Sequence, residues 1–208
     1  MLKYKIDIKF WNQQLRYKDP NEIIKWALDL SDNRIVTTSF GIYSEVLLSV
    51  MSSYDKEIKV IWCDTLYNEP ETYEHASNLI SKYNLNIFKY RSLKSKKEVE
   101  STIGFPSLED NNFFEFSEVI KLEPFRRALK EHNPKVWFTN IRVRQTEYRE
   151  RMDILSFSNS GILKVSPFYY WTDLDLDNYI KFNGLTKNKN YFDPIKALKN
   201  RECGIHLQ

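Results

Sequence analysis

Apolar positions along this chain fall into two alternating rhythms. Short runs rich in β-branched and aromatic residues, at Arg34–Thr38, Lys59–Cys63 and Asn86–Tyr90, are bounded by polar clusters and read as strands. The stretches between them carry apolar residues three or four apart, as in Ile42, Val46, Leu47, Val50 and Met51, which share one helical face. Glu69-Pro70-Glu71-Thr72-Tyr73 opens a second such helix, running to about Tyr83. Upstream, Asp19-Pro20-Asn21-Glu22 supplies a cap, a proline in the first turn and a capping-box glutamate, and Ile23, Ile24, Ala27 and Leu28 form the buried stripe. Downstream come a helix from Pro124 to His132, a strand from Lys135 to Ile141, an extended segment from Leu163 to Pro167 and a helix from Thr172 to near Gly184. Strands alternating with helices of this length predict an α/β fold with a doubly wound, mostly parallel sheet. Residues 1–18 lack a clean period and are expected to form an arm or short strand. Residues 92–117, broken at Gly104-Phe105-Pro106 and Asp110-Asn111-Asn112, read as a loop with short helical pieces, expected to form a mobile cover. The organisation predicted is one α/β domain over residues 1–185 and a flexible C-terminal tail over 186–208.

Composition narrows the class. The 208 residues are 42% hydrophobic and 28% charged, a globular balance. No run approaches the roughly 20 apolar residues of a membrane span, and the first residues carry no apolar signal core, so a cytoplasmic location is expected. Two distant cysteines make neither a disulfide framework nor a zinc site. Cys63, within Val60-Ile61-Trp62-Cys63, is expected to be a buried packing residue, and His75 and His132 ordinary surface residues. The net charge is only +3, but residues 126–151 hold eight Lys/Arg against three acids, and residues 187–208 hold five against two. Two basic segments in a balanced chain suggest an anionic ligand. They fall short of the strongly basic footprint of a nucleic-acid binder.

Three places carry candidate chemistry. In a parallel sheet, ligands bind where strand C-terminal ends meet helix N-termini, whose free N–H groups favour anions. Thr38, Ser39 and Ser44 offer hydroxyls there, and Gly41 allows close backbone approach, although GxxxxGK[ST] is absent. Asp64-Thr65 follows the next strand on the same edge, where an Asp either accepts hydrogen bonds from ribose or base or enters a helix. Trp137 to Arg149 is a buried strand feeding a cluster of arginines, whose forks suit phosphate and sulfate oxygens. Finally, Arg201-Glu202-Cys203-Gly204-Ile205-His206 places a thiol beside two basic side chains, which favour the nucleophilic thiolate.

Five motifs in order resemble the phosphoadenylyl-sulfate (PAPS) reductase family: Thr38-Ser39-Phe40-Gly41-Ile42; Asp64-Thr65 with Glu69 to Tyr73; Lys121-Leu122-Glu123-Pro124 with Arg127-Ala128-Leu129; Trp137-Phe138 with Arg142, Gln145 and Arg149; and Arg201 to His206. The resemblance implies an adenine-nucleotide α-hydrolase-like domain that binds PAPS through Ser39, Phe40, Gly41, Ile42, Asp64, Thr65, Lys121, Trp137, Arg142, Gln145, Arg149, Arg201 and His206. It implies Cys203 as the nucleophile that takes the sulfonate, no bound cofactor, and thioredoxin or glutaredoxin as external reductant. It is compatible with a homodimer and implies neither a nucleic-acid nor a membrane partner. Related enzymes that use adenylyl sulfate (APS) carry extra cysteines for an iron–sulfur cluster. Phe116-Ser117-Glu118 stands where one cysteine pair would fall, and two cysteines cannot hold such a cluster. PAPS is therefore the expected substrate, with cluster-free APS reduction as the alternative. A related ATP pyrophosphatase is the third reading; its Ser-Gly-Gly-x-Asp-Ser loop is Ser39-Phe40-Gly41-Ile42-Tyr43-Ser44 here, lacking one Gly and the Asp. The glycine- and threonine-rich segment of the family is shortened to Lys187–Lys196, leaving Lys187, Lys189 and Lys196 as candidate sulfonate ligands, and Asn140 replaces a small residue.

Overall fold

The computed structural model describes residues 2–106, 112–193, 195 and 204–207. Among the described residues six strands form one sheet: β1 (Arg34–Thr38), β2 (Lys59–Cys63), β3 (Asn86–Tyr90), β4 (Val136–Phe138), β5 (Leu155–Phe157) and β6 (Leu163–Val165). Their spatial order is β3-β2-β1-β4-β6-β5. All neighbouring pairs are parallel except β5 with β6. The helices are α1 (Ile8–Leu15), α2 (Pro20–Leu28), α3 (Ser44–Tyr54), α4 (Pro70–Tyr83), α5 (Lys96–Thr102), α6 (Phe113–Ser117), α7 (Glu123–His132), α8 (Glu147–Glu150) and α9 (Asp173–Asn183). A π-helical turn, Glu118–Leu122, joins α6 to α7.

Alternation along each strand explains how both faces are covered. Val36, Val60, Trp62, Val136 and Phe138 face one side and pack with residues of α2, α3, α4 and α9, such as Ile23, Leu47, Leu79 and Leu176. Ile35, Ile61, Cys63 and Trp137 face the other side, against Phe125 and Ala128 of α7. This is the doubly wound arrangement the periodicity predicts. The chain winds outward from β1 through β2 to β3 and then returns to pair β4 on β1's other side. The sheet therefore has its switch point between β1 and β4, where a crevice opens beyond the strand ends.

Two expectations are corrected. Residues 8–15 form a helix rather than an arm or strand. Asp7 caps it by accepting from Phe10 N at 3.0 Å. Its apolar face is interrupted by buried Asn12, whose side chain both donates to and accepts from the backbone of Leu155. His75 is buried on α4 rather than exposed. Strand β5 was not foreseen; its three residues pair antiparallel at the sheet edge. Among the described residues, no helix is long and apolar enough to cross a membrane.

Candidate active site

The crevice holds a cavity of about 390 Å³, lined from β1 and its loop, from the segment after β4, and from Lys121, Tyr191, Ile205 and His206. Its first wall is the loop between β1 and α3. Thr38 Oγ1 accepts from Phe40 N at 3.0 Å, and Phe40 then takes a left-handed backbone, φ +50°. That conformation costs a side-chain-bearing residue roughly 1–2 kcal/mol. Burying the ring completely, edge-on to Trp62 at 4.9 Å, offsets it. Phe40 thus anchors the loop from inside the core, while Ser39, Gly41 and Ile42 line the cavity. Asn188 fastens the loop from outside, donating to Phe40 O at 2.8 Å.

The second wall follows β4. Asn140 donates to Tyr43 O at 2.9 Å, tying the two loops across the switch point; its Oδ1 is buried without a partner among the described residues. Arg142 is extended, bound to Asp173, with its guanidinium 5.0 Å from the Tyr43 ring centroid. Gln145 Oε1 accepts from Arg142 N at 2.9 Å and from the Arg149 guanidinium, so one amide orients both arginines. Arg149 is buried. The other basic residues of this stretch do less: Arg126 and Arg127 pair with Glu118 and Glu123.

Residues 186–193 lie against the body across the expected domain boundary. Thr186 donates to Glu45, and Asn188 is buried. Lys121 and Asp193, each 4% exposed, form an ion pair at 2.5 Å. The Tyr191 hydroxyl lies 2.9 Å from Ser39 Oγ and 3.2 Å from Asp193 Oδ2. Lys187 is paired with Asp177, and with Lys189 it lines a second cleft rather than the cavity. Lys196, Arg201 and Cys203 lie outside the described residues.

Gly204 has φ +77°, and a Cβ there would come within 3.0 Å of Leu122 Cδ2, so both backbone and space require glycine. His206 is buried against Trp137. Trp137 does not line the cavity; its Nε1 donates to Thr37 Oγ1 at 2.8 Å. Lys164 of β6, which sequence reasoning passed over, donates to His206 O at 3.0 Å. A lysine inside the apolar run Leu163-Lys164-Val165 was the available signal.

Asp64 and Thr65 do stand beyond β2, but neither lines the cavity. The Asp64 carboxylate is fully buried and accepts from Leu66 N, Asn68, Tyr73 and Arg91. Thr65 accepts from Tyr67 N at 3.3 Å. Both organise the β2–α4 turn. Cys63 is buried as expected, yet it also stands on the cavity wall. Among the described residues no group of three or more His, Cys, Asp or Glu converges as a metal site.

Comparison with known proteins bears on what such a crevice holds. The phosphoadenosine phosphosulfate reductase domain matches residues 33–198. Phosphoadenosine 5'-phosphosulfate reductase of Vibrio vulnificus (strain YJ016) is 36% identical over 177 residues, covering 84% of this chain and 68% of that protein. The enzyme of the same name from Vibrio atlanticus (strain LGP32) is 34% identical, covering 94% and 84%. The crystal structure of PAPS reductase from Candida auris, a phosphate complex, superposes with a TM-score of 0.75 at 25% identity, covering 89% of this chain and 91% of that one. FMN adenylyltransferase of Candida glabrata shares the adenine-nucleotide α-hydrolase-like fold alone, with a TM-score of 0.57, 11% identity, and coverage of 86% and 59%. A match that begins at the first strand of the sheet and runs past the segment over the cavity fixes the assignment: the chain belongs to the phosphoadenosine phosphosulfate reductase family.

Proposed function

We propose that this protein reduces 3'-phosphoadenylyl sulfate to sulfite and adenosine 3',5'-bisphosphate. The observation that carries the reading is that Arg142, Arg149 and Lys121 line one cavity together with Ile205 and His206, which closely follow Cys203 in sequence. Fixed cationic donors suit the phosphates and the sulfonate, and they stabilise charge as it moves onto the leaving phosphate.

In this mechanism the Cys203 thiolate attacks the sulfur of the substrate. The bond between that sulfur and the 5'-phosphate oxygen breaks, adenosine 3',5'-bisphosphate leaves, and Cys203 becomes an S-sulfonate. A thiolate of thioredoxin or glutaredoxin then attacks the Cys203 sulfur and expels sulfite. The donor's second thiol resolves the mixed disulfide, so the two electrons come from the donor dithiol. The test is mass spectrometry after mixing with PAPS, expecting a sulfonate adduct on Cys203. Cys203→Ser should bind nucleotide without forming sulfite, and full sulfite release by that variant would overturn the proposal. Repeating the reaction with APS measures the selectivity for the 3'-phosphate.

A further inference from the structure

The cavity wall at the start of α3 is backed by a histidine. Ser44, the first residue of α3, is 8% exposed and lines the cavity. Its Oγ lies 3.3 Å from Nε2 of His75 on α4, which is also 8% exposed. His75 in turn lines the second cleft, between α4 and residues 186–190. The imidazole therefore spans the wall between two clefts, and the reaction outlined above does not use it.

A hydroxyl has one proton and two lone pairs. If Nε2 is bare, Ser44 donates to the ring and turns lone pairs toward the cavity, which repels an anion. If Nε2 carries hydrogen, the ring donates to Oγ and the hydroxyl proton is free to bind an anion oxygen. We propose that His75 is a positioning residue: its Nε2–H holds the Ser44 hydroxyl as a hydrogen-bond donor toward an anionic ligand in the cavity. The inference rests on the cavity being an anion site, as the proposed function has it.

The charges around the ring are consistent with this role. Glu45 faces it from α3, Glu71, Glu74 and Lys82 stand along α4, and Lys187 and Lys189 come from the segment opposite. Lys82 is paired with Glu45, Lys187 with Asp177, and Glu71 accepts from Asn190. Burial lowers the titration of His75 below the ordinary 6.5, and Glu45 acts in the opposite sense. The free ring is thus neutral at neutral pH, and its tautomer decides what Ser44 presents. An anion bound beyond Ser44 favours the imidazolium, so binding tightens as pH falls through the ring's titration.

The chain has three histidines, so long-range 1H–15N spectra can read each tautomer, with His75→Gln assigning the signal. The probe is adenosine 3',5'-bisphosphate. In the complex, His75 is expected as the Nε2–H tautomer. His75→Leu should bind about three- to tenfold more weakly, the range of one lost hydrogen bond. His75→Gln, whose amide can donate to Ser44, should stay within about twofold at pH 8. The ratio of wild-type to His75→Gln affinity, in which the ligand's own titration cancels, should rise as pH falls from about 8 to about 6. A bare Nε2 in the complex, or wild-type affinity in His75→Leu, overturns the proposal while leaving the anion site intact. Absence of binding by the wild type overturns the anion site and this proposal together.

Discussion

The imidazole of His206 lies parallel to the indole of Trp137, with 10° between the ring planes and 5.3 Å between centroids. The carbonyl of the same residue receives Lys164 Nζ at 3.0 Å and Tyr148 OH at 3.3 Å. Stacking, an ammonium and a phenol thus converge on one residue, three places after Cys203 in sequence.

His206→Ala removes the stack while leaving Trp137 held by Thr37 and Phe125. An aromatic pair of this kind contributes about 0.5–1.5 kcal/mol. We expect sulfite formation from PAPS and thioredoxin to fall about three- to tenfold in kcat/KM, and the unfolding free energy in urea to fall by no more than about 0.5–1.5 kcal/mol. A large drop in midpoint with unaltered kcat/KM would make His206 a packing residue only.

Breaking the Lys121–Asp193 pair takes a carboxylate away from a buried ammonium. Both side chains are 4% exposed, so Asp193→Asn is expected to destabilise the fold by about 3–5 kcal/mol in urea unfolding. Lys121→Met combined with Asp193→Leu should recover much of that loss, because neither variant side chain carries a charge. Wild-type stability of Asp193→Asn would show that the pair does not hold the segment.

Glu45 links α3 to the same segment and sets an acid limit on stability. Its carboxylate is fully buried, which by itself would raise its pKa. Hydrogen bonds from Lys82, Thr186 and Tyr83 outweigh that and pull it from 4.5 down to about 2. A depressed acid contributes fully above its unfolded pKa and loses its contribution as pH falls toward the folded value. The contribution is on the order of 3 kcal/mol at neutral pH. Glu45→Gln should therefore be less stable than wild type at pH 7, with the gap closing between about pH 4.5 and about pH 2. An unchanged gap across that range would remove the linkage.

Cys63 stands on the cavity wall, so the external-dithiol mechanism can be tested against a second internal thiol. Cys63→Ala should keep thioredoxin-dependent sulfite formation within about threefold. Without dithiol, wild type should stop at the protein-bound sulfonate. Free sulfite released by wild type without a donor, and lost in Cys63→Ala, would make Cys63 a reacting group.

Much of the frame was legible because local and global signals agree. The β-branched runs at Arg34–Thr38, Lys59–Cys63 and Asn86–Tyr90 became strands at those bounds, and Asp19 to Glu22 formed the capping box its residues suggest. What sequence spacing does not show depends on distant partners. Asn12 reads as a polar break until Leu155 pairs with it, and that same pairing supports the three-residue strand β5. Asp64 was placed on the correct sheet edge, but Tyr73 and Arg91 turn its carboxylate into the turn beneath. Lys187 is a candidate sulfonate ligand by sequence, but it pairs with Asp177 and lines the second cleft. Side-chain direction at a sheet edge is decided by neighbours that sequence spacing does not name.

The strand order also governs assembly of the chain. β1 lies between β2 and β4, and Val36 pairs with Val60 on one side and Phe138 on the other. At ribosomal rates of about 5–20 residues per second, β1 waits roughly 5–20 seconds for its second neighbour. During that interval it presents an edge of unpaired backbone N–H and C=O groups of the kind that recruits foreign strands. The crevice cannot exist before that edge is closed, so the yield of active protein should depend on chaperone capacity during synthesis more than on the stability of the finished fold.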